Sequence, residues 1–420
     1  MAMAVDTRRF TTRAAAEAYV GGVCFKLGPP RLVGAELEWL TSRSRPSNGR
    51  PDPGDVARAL GPHAPTSLAA DSPARRLSRG SAVTMEPGGQ IELSSAPFPS
   101  AAELCAALAR DARSLQDLLE DEGIAMYDGA ADVWRDAERV LAMPRYRAMQ
   151  ERFDTVGPFG RLMMCNTAAT QVSVDAGADA AEVEDRWTAL YAIGPALVAA
   201  FACSPRLRGV PAGTWASQRM RAWLELDPKR TAPPPLADPI TGYARWALDA
   251  PLLCVVGGRP GCENDWSVPL GASFADWMAG ALDEEVGRRP GPADLDYHLT
   301  TLFPPVRAAG HLEVRYLDAQ PGELWRVPIA AVAALLGDRE TAAAASALAA
   351  STAGRWRDAA EFGLRDGELR SAAAELLFLA ASRSSAFEAD LAAAARRCCH
   401  GRTPTQDPVH AGFDAGGLGR

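Results

Sequence analysis

Four stretches of the chain alternate apolar with polar residues, the pattern of a β-strand whose two faces differ. In the first stretch, residues 32–40, the alternation puts Glu36 and Glu38 on one face and apolar side chains on the other. Taken alone, this pattern is typical of a half-buried strand with its acids in solvent. Three later stretches repeat the design, which favours a common role for the polar faces.

The later stretches also carry acid, amide or guanidinium groups opposite apolar residues. In the first of them, residues 84–95, a Pro-Gly-Gly sequence marks a turn between two extended segments. The polar side chains are Glu86 and Glu92 in residues 84–95, Gln171 in residues 170–175, and Glu313 and Arg315 in residues 311–318.

Several carboxylates on one sheet face repel one another unless positive charge lies among them. Carboxylate oxygens are the ligands that hard cations prefer. The pattern therefore predicts a groove, lined by an antiparallel sheet, in which acids converge on Mg²⁺ or Mn²⁺. The predicted metal ligands are Glu36, Glu38, Glu86, Glu92 and Glu313.

Other patterns predict the elements around these strands. Ser100 and Glu103 have capping-box spacing at the start of a helix that Gly123 can close. Further helices are predicted over residues 12–20, 180–203, 215–230 and 274–282 and over most of 328–395, and Pro195 is expected to interrupt or kink the second of these. A short helical turn is predicted over residues 55–60 and a buried strand over residues 252–256. Loops are predicted over residues 42–54 and 62–79.

The composition of the chain argues against several classes of function. The chain has 420 residues and a net charge of −8, so nothing indicates nucleic-acid binding. Lys26 and Lys229 are the only lysines, and arginine must therefore supply the cations for any phosphate or carboxylate. The eight cysteines lack zinc-site or Cys-x-x-Cys spacing, and no segment is typical of a signal peptide or a membrane span. We expect a reduced, cytoplasmic protein without membrane partners.

The motif Glu-Pro-Gly-Gly-Gln-Ile-Glu-Leu-Ser at residues 86–94 and the motif Leu-Glu-Val-Arg at residues 312–315 occur in an order and separation that are specific. Together with residues 161–165 and 298–307, they resemble the plant-like glutamate–cysteine ligases, including the actinobacterial ligases of ergothioneine biosynthesis. The resemblance runs from about residue 15 to about residue 380.

The resemblance implies an α+β fold similar to glutamine synthetase, with an antiparallel sheet forming a funnel-shaped active site surrounded by helices. It implies one catalytic domain over residues 1–400, in which residues 41–80 are partly a loop excursion and residues 328–400 are Ala-rich packing helices. Residues 401–420 are expected to form a disordered tail.

The implied reaction joins L-glutamate to L-cysteine at the expense of ATP, with Mg²⁺ ions bridging the carboxylates and the phosphates. Arg315, Glu313 and Glu92 are then catalytic, and Gln171 and Arg315 contact the nucleotide. By the same resemblance, the substrate-binding residues are Arg145, Arg219, Trp223, Arg230 and Arg307.

Alternatives stay open at this point. Arg315 can simply pair with Glu313 or Asp318, Arg145 and Arg219 can lie on solvated helix surfaces, and His298 is more typical of a structural histidine than of a base. Ser173 stands where these ligases usually carry Asn. The chain can therefore be a ligase for another amine, or a non-catalytic module that binds a nucleotide or an amino acid. The sequence does not define the oligomeric state.

Overall fold

The computed structural model describes residues 9–28, 32–43, 49–258 and 262–406. The strands in this part of the chain are β1 (Val33–Arg43), β2 (Ala82–Met85), β3 (Ile91–Ser94), β4 (Ile124–Tyr127), β5 (Ala169–Val174), β6 (Val306–Ala308) and β7 (Leu312–Asp318). The α-helices are α1 (Arg13–Cys24), α2 (Pro53–Leu60), α3 (Ala101–Asp121), α4 (Pro144–Asp154), α5 (Phe159–Asn166), α6 (Ala180–Phe201), α7 (Gln218–Leu226), α8 (Pro228–Thr231), α9 (Pro239–Asp249), α10 (Phe274–Ala279), α11 (Asp283–Val286), α12 (Pro292–Leu299), α13 (Arg326–Leu335), α14 (Arg339–Leu348), α15 (Trp356–Phe362), α16 (Gly367–Arg383) and α17 (Glu388–Cys399).

The strands form one antiparallel sheet in the order β2–β3–β1–β5–β7–β6. Strand β4 pairs with the C-terminal end of β1, beyond the part that pairs with β3 and β5. The four alternating stretches of the sequence thus become neighbours in space. Because side chains alternate along each strand, their polar faces meet on one side of the sheet.

The apolar side of the sheet packs against helices. Side chains such as Leu37, Val172 and Val314 are buried in the main hydrophobic core, and helices α3, α6 and α13 contact β1, β7 and β5 respectively. Helix α3 begins where predicted, because the Ser100 hydroxyl accepts a hydrogen bond from the Glu103 amide. The predicted α+β class, with an antiparallel sheet surrounded by helices, is confirmed.

Several predicted elements differ from the structure. Residues 252–256 are not a strand: Leu252 and Val255 donate backbone hydrogen bonds to Ala272 and Trp266, and no neighbouring strand pairs with them. Helix α6 continues through Pro195 rather than being interrupted there. Strand β4 was not predicted, because its few residues carry no clear alternation. The predicted tail lies largely outside the described residues, which end at residue 406.

Candidate active site

A cavity of about 260 Å³ opens above the polar side of the sheet. Strands β1, β3, β5 and β7 supply its base, and α4, α5 and α7 supply side walls. Four carboxylates and four guanidinium groups share the wall, so their formal charges balance. The lining residues are Glu36, Glu38, Glu86, Pro87, Gln90, Glu92, Arg145, Tyr146, Met149, Met163, Met164, Thr167, Gln171, Arg219, Trp223, Thr300, Phe303, Arg307 and Arg315.

The sheet register fixes the positions of three of the acids. Glu38 on β1 lies directly opposite Glu92 on β3, and Glu36 lies opposite Gln171 on β5. Like charges directly across a strand pair destabilise it. The sheet therefore holds these acids together at a cost to stability, which is typical of a functional site.

The fourth acid, Glu86, stands on a tight loop between β2 and β3. A Cβ atom at Gly88 would lie 2.2 Å from the carbonyl oxygen of Cys165, so only glycine allows this close approach. The Arg50 guanidinium donates to the Gly88 carbonyl at 2.7 Å and to Asn166 Oδ1 at 2.6 Å. Arg50 thereby ties the loop that carries Glu86 to the end of α5.

Burial and mutual repulsion both raise the pKa values of these acids. Burial, followed by the neighbouring Glu92 and Glu313, raises the pKa of Glu36 to about 8. Burial and then Glu86 raise the pKa of Glu92 to about 7, although the Thr84 hydroxyl donates to it at 2.6 Å. Burial also raises the pKa of Glu38, and the carboxylate charge of Glu92 adds to this. Additional positive charge in the cavity would favour the ionised forms.

Glu313 has a different environment from the other acids. Arg307 donates to it at 2.8 Å, and Arg315 contacts its second carboxylate oxygen. Burial alone would raise the pKa of Glu313, but Arg307 and Arg315 outweigh it and lower that pKa to about 2. Glu313 does not line the cavity. The expectation that it is available as a metal ligand is therefore not supported: its oxygens already bind two arginines.

A register irregularity brings Arg315 to the cavity. Between the pairs Thr170–Leu317 and Val172–Val314, the residues Arg315 and Tyr316 lie opposite the single residue Gln171. Such a bulge turns the strand and redirects a side chain. Within the described residues, Nε of Arg315 and Oε1 of Gln171 are buried without a hydrogen-bond partner. A bound ligand that offers both an acceptor and a donor would satisfy them.

Two helical residues of the predicted substrate set form the adjoining wall. Arg219 and Trp223 lie one turn apart on α7, and both line the cavity. The guanidinium groups of Arg219 and Arg315 lie 5.8 Å and 5.2 Å from the Trp223 ring centroid. On another wall, Arg145 donates to the Thr300 carbonyl at 2.9 Å. None of these arginines lies on a solvated helix surface away from the cavity.

Arg230 and His298 lie behind the cavity wall. The fully buried Arg230 guanidinium donates to the carbonyls of Pro251 (2.7 Å) and Thr301 (2.9 Å) and does not line the cavity, which does not support the expectation that it borders a substrate. Its charge instead holds together the backbone segments beneath the cavity. His298 is buried, and its Nε2 donates to the Ala247 carbonyl at 2.8 Å, as expected of a structural histidine.

The acids fit a divalent cation only in part. The cavity offers four carboxylates and the orphaned Gln171 oxygen, which suit a hard cation. Yet in the part of the chain that the structure describes, no three His, Cys, Asp or Glu side chains form a ready coordination shell. Magnesium is commonly bound by one or two carboxylates together with water and substrate phosphates. The donor set therefore suits a cation that arrives with a phosphorylated ligand.

Other site residues did not emerge from the sequence. Arg50 lies in a segment rich in Ser, Pro and Gly, where nothing indicated a contact with the Glu86 loop. Met149, Met163 and Met164 form an apolar sector of the wall, and in the sequence they resemble ordinary core residues. Gln90 shares the alternation of Glu92, so that pattern was a usable signal. Its amide donates to the Thr167 carbonyl at 2.9 Å.

The sequence of the chain matches a known protein family. The family model described as glutamate–cysteine ligase family 2, or GCS2, matches residues 32–411. The chain belongs to this family. The match spans every strand of the sheet and the whole cavity, so the resemblance that the motifs indicated is confirmed.

Relatives of the family extend over most of the chain. It is 36% identical over 405 residues to the glutamate–cysteine ligase EgtA of Mycolicibacterium smegmatis, covering 95% of this chain and 91% of that protein. It is 33% identical over 251 residues to the chloroplastic glutamate–cysteine ligase of Arabidopsis thaliana, covering 58% and 46% of the two chains. The first relative thus spans both the sheet and the Ala-rich helices.

A solved structure has the same fold. The glutamate–cysteine ligase of Francisella tularensis, in complex with AMP, superposes with a TM-score of 0.52 at 11% identity, covering 93% of this chain and 86% of that chain. At this identity, the likeness supports the fold. Among the described residues, no helix has the length and apolar character to span a membrane.

Proposed function

We propose that the protein joins the γ-carboxylate of L-glutamate to the amine of L-cysteine, forming γ-glutamylcysteine, ADP and phosphate from ATP. The observation that carries the proposal is the cavity in which four half-buried carboxylates face four arginines. The M. smegmatis relative, 36% identical and named a glutamate–cysteine ligase, supports it. The product would feed ergothioneine biosynthesis in a reducing cytoplasm, where the eight free cysteines stay reduced.

The reaction has two steps. First, a γ-carboxylate oxygen of glutamate attacks the γ-phosphorus of ATP, and the bond to the bridging oxygen breaks to release ADP. The cysteine nitrogen then attacks the acyl carbon of the acyl phosphate, phosphate departs, and the amine loses a proton. Both steps move negative charge between oxygens, so fixed cations near those oxygens lower the barrier.

The residues of the cavity suit these tasks. Arg315, with an unpaired Nε, and Arg219 are positioned to bind phosphoryl oxygens. Glu36, Glu38, Glu86 and Glu92 would hold Mg²⁺, which supplies charge neutralisation of the phosphates when bound. Arg145 and Arg307 are the candidates for the α-carboxylate of a substrate.

The apolar sector of Met149, Met163 and Met164 supports cysteine as the amine. Thioethers and the neighbouring Phe303 ring favour a small, uncharged, polarisable side chain. Such a wall cannot strongly reject a methyl group in place of a thiol, but it desolvates a hydroxyl without a partner. We therefore expect 2-aminobutyrate to replace cysteine better than serine does, by about tenfold or more in kcat/KM.

The direct test measures ADP release from Mg-ATP with L-glutamate, with and without L-cysteine, and identifies the product by mass. Cysteine-dependent ADP together with γ-glutamylcysteine is the expected result. ADP release that requires another amine would keep a ligase but replace its second substrate. No ADP with any amine would favour a binding module and contradict the proposal.

A charge-removing substitution tests the role of the acids. Glu92→Gln keeps the shape of the half-buried side chain and removes its charge, so we expect kcat to fall by about 100-fold or more. Stability should stay equal or rise, since one member of the opposed Glu38–Glu92 pair becomes neutral. Glu284→Gln on the exposed surface of α11 is the matched control and should change neither quantity. Equal kcat values for both variants would contradict the assignment.

A further inference from the structure

A second cluster of polar side chains lies behind the cavity, at the end of β7. Its centre is Asp318, which is 2% exposed. The carboxylate accepts hydrogen bonds from the Ser204 hydroxyl at 2.7 Å, the Ser217 hydroxyl at 2.8 Å and the Cys203 amide at 2.9 Å. These three hydrogen-bond donors hold the carboxylate in one orientation, and the charge of an adjoining arginine lies close to it.

That arginine is Arg219, in the first turn of α7. One of its terminal nitrogens lies 3.8 Å from the Asp318 carboxylate, and the other donates to the Arg315 carbonyl at 2.6 Å. The Ser217 hydroxyl that binds Asp318 also caps α7 by accepting from the Met220 amide. Asp318 therefore fixes both the start of α7 and the side chain of Arg219.

Asp318 can influence the cavity through Trp223. This side chain lies one turn after Arg219, and the guanidinium groups of Arg219 and Arg315 both lie over its ring. Moving the start of α7 would move Trp223, and with it the surface on which Arg315 rests. Asp318 itself does not line the cavity. Its influence on bound substrate must pass through Arg219, Trp223 and Arg315.

We propose that Asp318 is a positioning residue for the ligation, orienting the Arg219–Trp223–Arg315 unit toward the transferred phosphoryl group. The inference rests on the proposed function and adds a residue outside the cavity to it. A purely structural role would make Asp318 matter for stability alone. A positioning role predicts a loss in kcat that depends on Arg219, because misplacing catalytic groups by about 1 Å can cost about 100-fold.

The chain offers a matched control. Asp111 on α3 is also fully buried, and it accepts hydrogen bonds from the backbone amides of Arg79 and Ser81, remote from the cavity lining. Asp318→Asn and Asp111→Asn thus remove the same charge from similar carboxylate networks. Both variants should lower the melting temperature, and only Asp318→Asn should lower kcat, by about 10- to 100-fold.

A double-mutant cycle tests whether Asp318 acts through Arg219. The wild type, Asp318→Asn, Arg219→Lys and the double variant are assayed for γ-glutamylcysteine formation, with kcat and KM measured for ATP, glutamate and cysteine. We expect Asp318→Asn to slow the Arg219→Lys variant much less than it slows the wild type, since only the start of α7 is then left for Asp318 to hold. If Asp318→Asn does not fold, Ser204→Ala removes one donor and should give a smaller loss in the same direction.

Three results would overturn the inference. One is a kcat for Asp318→Asn, or for Ser204→Ala in its place, that falls no further than that of Asp111→Asn. Another is a fold-loss in kcat of the double variant that equals the product of the fold-losses of Asp318→Asn and Arg219→Lys, which would mean that the two residues act independently. If the wild type forms no γ-glutamylcysteine, the proposed function fails, and the positioning role fails with it; an active wild type with an unaffected Asp318→Asn removes the positioning role alone.

Discussion

Acid should weaken the fold through His298, which is buried and neutral. Burial is the main cause that lowers the pKa of His298 from 6.5 to about 4; the nearby Arg230 acts in the same direction, and the Ala247 carbonyl, which favours the protonated ring, opposes them. In the unfolded chain, the same imidazole titrates near its ordinary value. Between these two pKa values the unfolded state binds more protons than the folded state, so stability falls as the pH falls below 6.5 and this loss is complete below about 4.

The two pKa values set the size of the effect. Linkage between an unfolded pKa of 6.5 and a folded pKa of about 4 gives a loss of about 2 kcal/mol at pH 5 relative to pH 8. The limiting loss in stronger acid is about 3 kcal/mol. The cavity carboxylates titrate over the same range with the opposite sign, because their pKa values are raised. The contribution of His298 must therefore be isolated by substitution.

The measurement compares urea unfolding of the wild type and of His298→Gln at pH 8 and pH 5. Glutamine retains a donor for the Ala247 carbonyl but does not titrate. The variant should be less stable than the wild type at pH 8, and the difference should shrink by about 2 kcal/mol at pH 5. His63→Gln, at a half-buried histidine on another part of the chain, serves as the control for the substitution itself. A stability difference between wild type and His298→Gln that is the same at both pH values would refute the reasoning.

Three further predictions concern the cavity. Gly88→Ala should lower the free energy of unfolding by about 1–3 kcal/mol and reduce turnover, because the new Cβ would collide with the Cys165 backbone. The control is Gly22→Ala on α1, where the new Cβ meets nothing within 4 Å and should not destabilise the fold. Equal unfolding curves for the two variants would contradict this prediction. Arg50→Gln should reduce turnover more than it changes the KM of cysteine, because the loop that carries Glu86 loses its tie to α5; steady-state kinetics test it. Mg-ATP at about 100 times its Kd should stabilise the fold by about 2.7 kcal/mol, and chelation should remove the gain in calorimetry; a gain that survives chelation would exclude the cation.

The sequence predicted the sheet best, because alternation is a local property. The faces that carry Glu36, Glu38 and Glu92 needed only the two-residue period, and the structure places those acids together in the cavity. Helix α3 was equally accessible, since its Ser100 cap and apolar spacing lie within one segment. For these elements the local pattern was enough to predict the secondary structure and the face on which each acid lies, while the role of the acids as metal ligands stays a prediction.

The sequence was less informative where tertiary contacts decide the surroundings of a residue. Nothing in the sequence distinguished Glu313 from the other acids, and only the pairing of β6 with β7 brings Arg307 to it. Arg230 matched a family motif, yet its guanidinium turns into the backbone below the cavity. The apolar run at residues 252–256 had strand composition but no partner strand. In each case the deciding contact is one that neither alternation nor a motif specifies.

The pairing order of the sheet has a consequence for synthesis of the protein. Strand β1 ends at residue 43, but β5 and β7, which complete the cavity, end at residues 174 and 318. At about 5–20 residues per second, a ribosome needs roughly 15–55 s to make the chain between β1 and β7. Throughout that time, β1 lacks its full complement of neighbours, and the acids of the cavity lack Arg307 and Arg315. A nascent chain is therefore exposed to misassembly during this interval, and any chain released before residue 307 carries the four cavity carboxylates without Arg307 and Arg315.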